Sequence, residues 1–219
     1  MNTTIIVVFG NAGHGKDTFS DLLAKYLPGH VHRHAFADGF KTATSDLLGV
    51  PKGIVYGTLE EKNGTMVYGK SVRRWLQWFG TEVGRDGIDK DIWVHRAADK
   101  AMTSGAQFSV ISDGRFWNEL QALRPYVAKA GIKVVNILIE RPDADSLGGL
   151  PRTRWNLFKA KWLGKIGIKV ELMHPSEWEV IEMRNPPHCK SDFDHVIFNG
   201  GSLSDLERKA WELSEVLAE

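Results

Sequence analysis

Residues 10–18 read GNAGHGKDT, and they follow TIIVVF, an apolar run rich in β-branched residues at positions 4–9. That juxtaposition leaves the chain few choices. Glycines let the backbone curl until several N–H groups point inward, and a helix opening immediately afterwards adds the positive end of its dipole. The pattern G-x-x-x-x-G-K, met here as Gly10, Gly15 and Lys16, is that of a phosphate-binding loop between a buried strand and a helix. The expected ATP contacts are Gly10, Asn11, Ala12, Gly13, His14, Gly15, Lys16, Asp17 and Thr18, with Lys16 reaching the β- and γ-phosphates. One position departs from the usual pattern. Asp17 stands where a Ser or Thr normally ligates Mg²⁺, and Thr18 follows it. A carboxylate suits Mg²⁺, directly or through water, and it equally suits the first turn of a helix.

The hydrophobic pattern extends the argument along the chain. Lys16–Tyr26 has Phe19, Leu22, Leu23 and Tyr26 at helical spacing, and Pro28-Gly29 stops it. His30–Phe36, Phe108–Ile111, Lys133–Ile139 and His195–Phe198 read as further strands. Ser202–Leu217 reads as a helix with Ser202 as its N-cap. Strands alternating with helices imply a parallel sheet with right-handed crossovers. The expected class is α/β, a P-loop NTPase three-layer sandwich with a five-stranded parallel sheet. Its 219 residues suit one domain, 1–219, with insertions. Residues 38–105 are too long for one crossover and predict a helical insertion; residues 141–178 predict a lid.

Net charge is +1, so no bulk field points to nucleic acid or a membrane surface. Cys189 is the only cysteine, which excludes an intrachain disulfide and suits a reducing, cytoplasmic setting. The segment MNTTIIVVFG lacks the features of a secretion signal, and no window approaches the roughly 18 apolar residues of a membrane span. Neither nucleic acid nor a membrane is an expected partner, and a homodimer stays open.

Several residues away from the loop carry chemistry. Asp113 ends the run FSVIS, at the strand edge beside a phosphate loop where a carboxylate usually reaches the metal shell. Arg115 and Glu119 follow at helical spacing, and they read as site residues or as an ion pair on a helix surface. In KSVRRWLQWFGTEVGR, at 70–85, Val72, Leu76, Phe79 and Val83 form one stripe. Arg73, Gln77, Gly80, Thr81 and Gly84 form its neighbour, which joins a phosphate-binding cation to an amide and a hydroxyl able to read a base edge. That second stripe also fits a solvated polar face. Trp93 suits base stacking or core packing. Asp38 and Lys41 line an acceptor site or merely cap and solvate a helix. Arg152, Arg154, Lys159, Lys161, Lys165 and Lys169 lie in a stretch without an acid. It fits a lid closing on ATP phosphates, a basic amphipathic helix or a charged face, with its place in the chain favouring the lid and Gly148-Gly149 as hinge. His30, His32 and His34 alternate along a strand and read as structural. His174, His188 and Cys189 are a weaker metal set.

Taken together, GNAGHGKDT, AFADGFK, RRWLQWFGTEVGR with DIWVHRA, and SDGRFWNE resemble, in that order, the deoxynucleoside monophosphate kinases of tailed bacteriophages. The resemblance covers roughly residues 4–120 and, more loosely, NGGSLSDLE. It implies ATP- and Mg²⁺-dependent phosphorylation of a deoxynucleoside 5′-monophosphate in a host cytoplasm. Lys16, Asp113 and Arg115 would be catalytic; the resemblance does not extend to residues 145–175, where Arg152 and Arg154 are expected at the ATP site from their position and charge alone. Arg73, Gln77, Gly80, Thr81 and Trp93 of the insertion, with Asp113, Arg115 and Glu119, would surround the monophosphate, and Lys41 is a weaker addition; Asp38 joins this site, and Asp17 and Asp113 the metal, on their positions in the sequence. Another small-molecule P-loop kinase, such as one acting on dephospho-coenzyme A, and a non-catalytic nucleotide binder are the alternatives.

Overall fold

The computed structural model describes residues 3–141 and 192–219. Residues 142–191, which hold Arg152, Arg154, Gly148-Gly149, His174, His188 and Cys189, lie outside the described residues.

Five strands build the main sheet: β1 (Thr4–Phe9), β2 (Val31–His34), β5 (Phe108–Gly114), β6 (Lys133–Glu140) and β7 (His195–Phe198). Their order is β2-β5-β1-β6-β7, and every pairing is parallel. β1 therefore sits at the centre, covered on both faces, which is why its sequence is a continuous apolar run rather than an alternating one. Successive side chains point to opposite faces of a strand. Ile5, Val7 and Phe9 accordingly enter one core layer with helix α6 (Ile92–Thr103) and helix α7 (Trp117–Val127). Ile6 and Val8 enter the other with α1 (Lys16–Tyr26) and α8 (Leu203–Ala218). The result is the expected three-layer α/β sandwich around a five-stranded parallel sheet.

Between β2 and β5 lies a helical block: α2 (Asp38–Leu48), α3 (Lys52–Tyr56), α4 (Leu59–Gly64), a hairpin of β3 (Met66–Val67) and β4 (Lys70–Ser71), and α5 (Val72–Gln77). Its own small core is Val50, Val55, Val72 and Leu76. Past Gln77 the chain winds as a π-helix over Trp78–Arg85, and the Asp86 N–H donates to Thr81 O, five residues back, at 2.9 Å. π-helical winding concentrates at functional sites. Here it changes which residues face inward. An α-helical stripe puts Gly84 beside Thr81, whereas the wider turn brings Arg85 there. Gly84 instead packs against Trp93: a Cβ at Gly84 would lie 2.4 Å from the indole. The expected placement of Gly84 is corrected accordingly.

Candidate active site

The phosphate loop leaves β1 and curls through left-handed backbone at Gly13 (φ 79°) and Gly15 (φ 88°). Gly15 is also the N-cap of α1 and offers no side chain to the first-turn amides, an arrangement suited to an anion at a helix N-terminus. Lys16 is buried, and its ammonium donates to Gly10 O at 2.7 Å and Asn11 O at 2.8 Å. The lysine thus curls over its own loop, where a phosphate chain would lie. Two strand ends fix the loop from outside. His14 Nδ1 lies 3.1 Å from Ile139 O at the end of β6, and Asn199 Nδ2 donates to His14 O at 2.9 Å from the end of β7.

A cavity of 810 Å³ opens beside the loop, with Asp17 on its wall. Arg33 of β2 donates to Asp17 at 3.1 Å and also to Asp21. Arg73, Gln77, Gly80 and Thr81 line the same cavity, so the structure brings these residues of the predicted polar stripe to one surface. Arg85, Arg115 and Phe116 line it as well.

Three predicted residues have structural ties as well as places on the wall. Asp113 accepts N–H bonds from Phe36 at 2.7 Å and Ala37 at 3.0 Å, and so pins the β2–α2 turn. Asp38 accepts from Ala35 N at 3.1 Å, Lys100 at 3.1 Å and Tyr56 at 3.2 Å. Glu119 makes no surface pair with Arg115, because Arg115 lies before α7 starts. Its carboxylate accepts the backbone N–H groups of Arg115 (2.7 Å) and Phe116 (3.0 Å), and takes Arg85 as its ion partner at 2.6 Å. Burial pushes the Glu119 carboxyl upward, against the pull of Arg85.

Trp93 lies outside the cavity lining. Its Nε1 donates to Gly80 O at 2.8 Å, and its ring packs edge-on to Phe40 at 5.2 Å, so it buttresses the π-helical wall from behind. Lys41 lies over the Tyr56 ring at 4.9 Å. Sequence reasoning missed Arg85, Tyr56, Lys62 and Arg33, all on the wall. Arg85 was within the motif but behind the wrong helical register; Lys62, on a short polar helix, gave no pattern at all.

The loop fits nucleotide phosphates: its left-handed glycines and buried lysine form a cradle. For Mg²⁺, Asp17 offers a hard oxygen ligand whose side chain is 80% exposed. Asp113 is committed to two amides and could serve only through its remaining lone pairs. Among the described residues, no group of three or more His, Cys, Asp or Glu could hold a metal ion, and no helix is long and apolar enough to cross a membrane.

No family model matches the chain, and no curated protein matches its sequence. Among solved structures, it is similar to the crystal structure of APE1195, with a TM-score of 0.50 and 14% identity over 100% of this chain and 98% of that one. It is also similar to Mycobacterium tuberculosis APS kinase CysC in complex with AMPPNP and APS (TM-score 0.46, 14% identity, 100% and 99% covered). A third is shikimate kinase from Acinetobacter baumannii in complex with shikimate (TM-score 0.45, 15% identity, 99% and 94% covered). At these identities the likeness concerns fold alone, a five-stranded parallel sheet covered by helices on both faces.

Proposed function

We propose that the protein transfers the γ-phosphoryl group of ATP to a deoxynucleoside 5′-monophosphate, giving ADP and the diphosphate. The observation that carries this reading is that one cavity is lined both by Asp17 of the phosphate loop and by Arg73, Gln77 and Thr81 of the helical block. A wall of cation, amide and hydroxyl then shares a cavity with Asp17, the residue next to the loop lysine, and the sequence resemblance to the phage kinases supplies the identity of the acceptor.

The chemistry asks little covalent work of the chain. The acceptor phosphate is already anionic at neutral pH, so no strong base is needed, and catalysis is positioning plus charge neutralisation. Lys16 holds the β- and γ-phosphates. Arg73 and Arg115 orient the acceptor, for which their planar forks suit two-point phosphate contact. Gln77 and Thr81 meet the base edge. Mg²⁺, held through Asp17, would supply further neutralisation of the phosphate chain. Asp113 and Glu119 keep the β2–α2 and β5–α7 turns in place around it.

The test is ADP release from ATP with a panel of deoxynucleoside monophosphates, run on the wild type and on Lys16→Ala. Stimulation by at least one monophosphate, lost by a hundredfold or more in the folded variant, is expected. ADP release that no monophosphate stimulates rejects the reading.

A further inference from the structure

Every carboxylate on the cavity wall has a partner. Asp17 meets Arg33, Asp38 meets Lys100, Asp113 holds two backbone amides and Glu119 holds Arg85. Three of the cations on the lining are different. Lys41 comes from α2, Lys62 from α4 and Arg73 from α5, and all three line the same cavity. Among the described residues, none of the three has an ion-pair partner. The acid next in sequence, Glu61, is turned away: its carboxylate accepts from Thr58 N at 2.6 Å, and its own N–H donates to Thr58 Oγ1 at 3.2 Å, which caps α4.

We propose that Lys62, with Lys41 and Arg73, forms the subsite for the dianionic phosphate of the acceptor, and that Lys62 is the residue that makes this charge a requirement. The inference rests on the functional reading above and deepens it. Two ammonium groups and one fork converge on one space, which suits a group with three terminal oxygens and two charges better than a planar monocarboxylate. All three cations are half-buried, and α5 and α2 meet over one small core, α5 through Val72 and Leu76 and α2 through Phe40 and Leu48.

Lys62 also responds as a member of such a cluster. Burial, together with the charges of Lys41 and Arg73, pulls its ammonium below the ordinary lysine range, and only Glu61 opposes them. A bound dianion would reverse that pull. Affinity for the anion should therefore weaken as alkaline pH deprotonates Lys62 in the empty site, and an arginine at this position should delay the weakening to higher pH.

Calorimetric titration in the absence of ATP tests the site directly, with inorganic phosphate and with thymidine 5′-monophosphate as probes. The proteins are wild type, Lys62→Gln, Lys62→Arg and, as a control for charge loss, Lys129→Gln at an exposed position. Lys62→Gln should bind both probes about tenfold or more weakly, the cost expected for a lost charged hydrogen bond. Lys62→Arg should stay near wild type, and thymidine should bind no differently to any of them. Equal phosphate binding by wild type and Lys62→Gln, or no phosphate binding by wild type, overturns the subsite. Lys62-dependent phosphate binding in a protein that phosphorylates no monophosphate upholds the subsite and rejects the acceptor assigned above. Turnover of monophosphates with an unchanged KM in Lys62→Gln does the reverse.

Discussion

Arg85 and Glu119 form an ion pair at 2.6 Å with side chains only 13% and 2% exposed. It ties the π-helical wall of the cavity to the turn between β5 and α7. The Arg85 guanidinium also lies 3.4 Å from the centre of the Phe116 ring. Removing one partner of a buried pair strands the other charge, which costs about 3–5 kcal/mol. Arg85→Ala should therefore lower stability by about 3 kcal/mol in urea unfolding, and Arg85→Ala with Glu119→Gln should lose less than the two single losses combined. A loss below about 1 kcal/mol for Arg85→Ala, as for an exposed pair, would mean that water reaches Glu119.

Asp17 and Arg33 carry the prediction about metal. If the Asp17 carboxylate holds Mg²⁺, Arg33 competes for it at 3.1 Å. Asp17→Ala should raise the Mg²⁺ concentration for half-maximal rate by roughly tenfold. Asp17→Ser should restore most of it, and Arg33→Ala should lower it. Unchanged Mg²⁺ dependence in Asp17→Ala would leave the helix dipole as the whole reason for an acid there.

Gly84 tests the π-helical register. A methyl group at this position meets Trp93, which cannot move without losing its bond to Gly80 O. Gly84→Ala should cost about 1–3 kcal/mol by overpacking and raise the KM for the acceptor, because Gly80 and Thr81 shift with the ring. An α-helical segment would instead tolerate the change or gain stability from it.

His34 predicts an acid-sensitive stability. It is buried on β2, and burial, followed by His32 and Lys100, holds its imidazole down to about 4. The folded state thus binds this proton less readily than the unfolded chain, whose histidines titrate near 6.5. The stability is complete above about pH 6.5 and is lost as pH falls towards 4, with an upper limit on the order of 3 kcal/mol. Comparing unfolding of wild type and His34→Phe between pH 7 and 4 isolates the effect. Parallel pH curves for the two proteins would show that His34 does not cause it.

The sequence was most legible where one pattern had one physical meaning. TIIVVF could only be a strand buried on both faces, and Ser202 capped its helix as its side chain suggests, accepting from Asp205 N at 3.2 Å. The stripe of Arg73, Gln77, Gly80 and Thr81 came together because α-helical spacing holds as far as Gln77. It failed at Gly84 and Arg85, because nothing in WFGTEVGR announces an i to i+5 turn; Trp93, packed from a later helix, occupies the place a straight α-helix would need. Trp93 itself was ambiguous for the same reason: a single tryptophan stacks on a base or on a core according to neighbours remote in sequence. Asp113 and Glu119 were legible as important, but their backbone partners depend on turns that no side-chain pattern encodes.

The bond from Asn199 to the His14 carbonyl spans 185 positions, and it has a consequence for how the protein is made. The phosphate loop looks local, nine consecutive residues between a strand and a helix. Its outer face nevertheless rests on β7 and on α8, which packs against α1 and follows the loop by more than 180 positions. A nascent chain that has folded β1, α1 and β5 still lacks that support, and contacts so distant in sequence form late. Nucleotide affinity should thus arise only once β7 and α8 have left the ribosome, so that ATP reports on the assembled sheet and not on the motif that announces it.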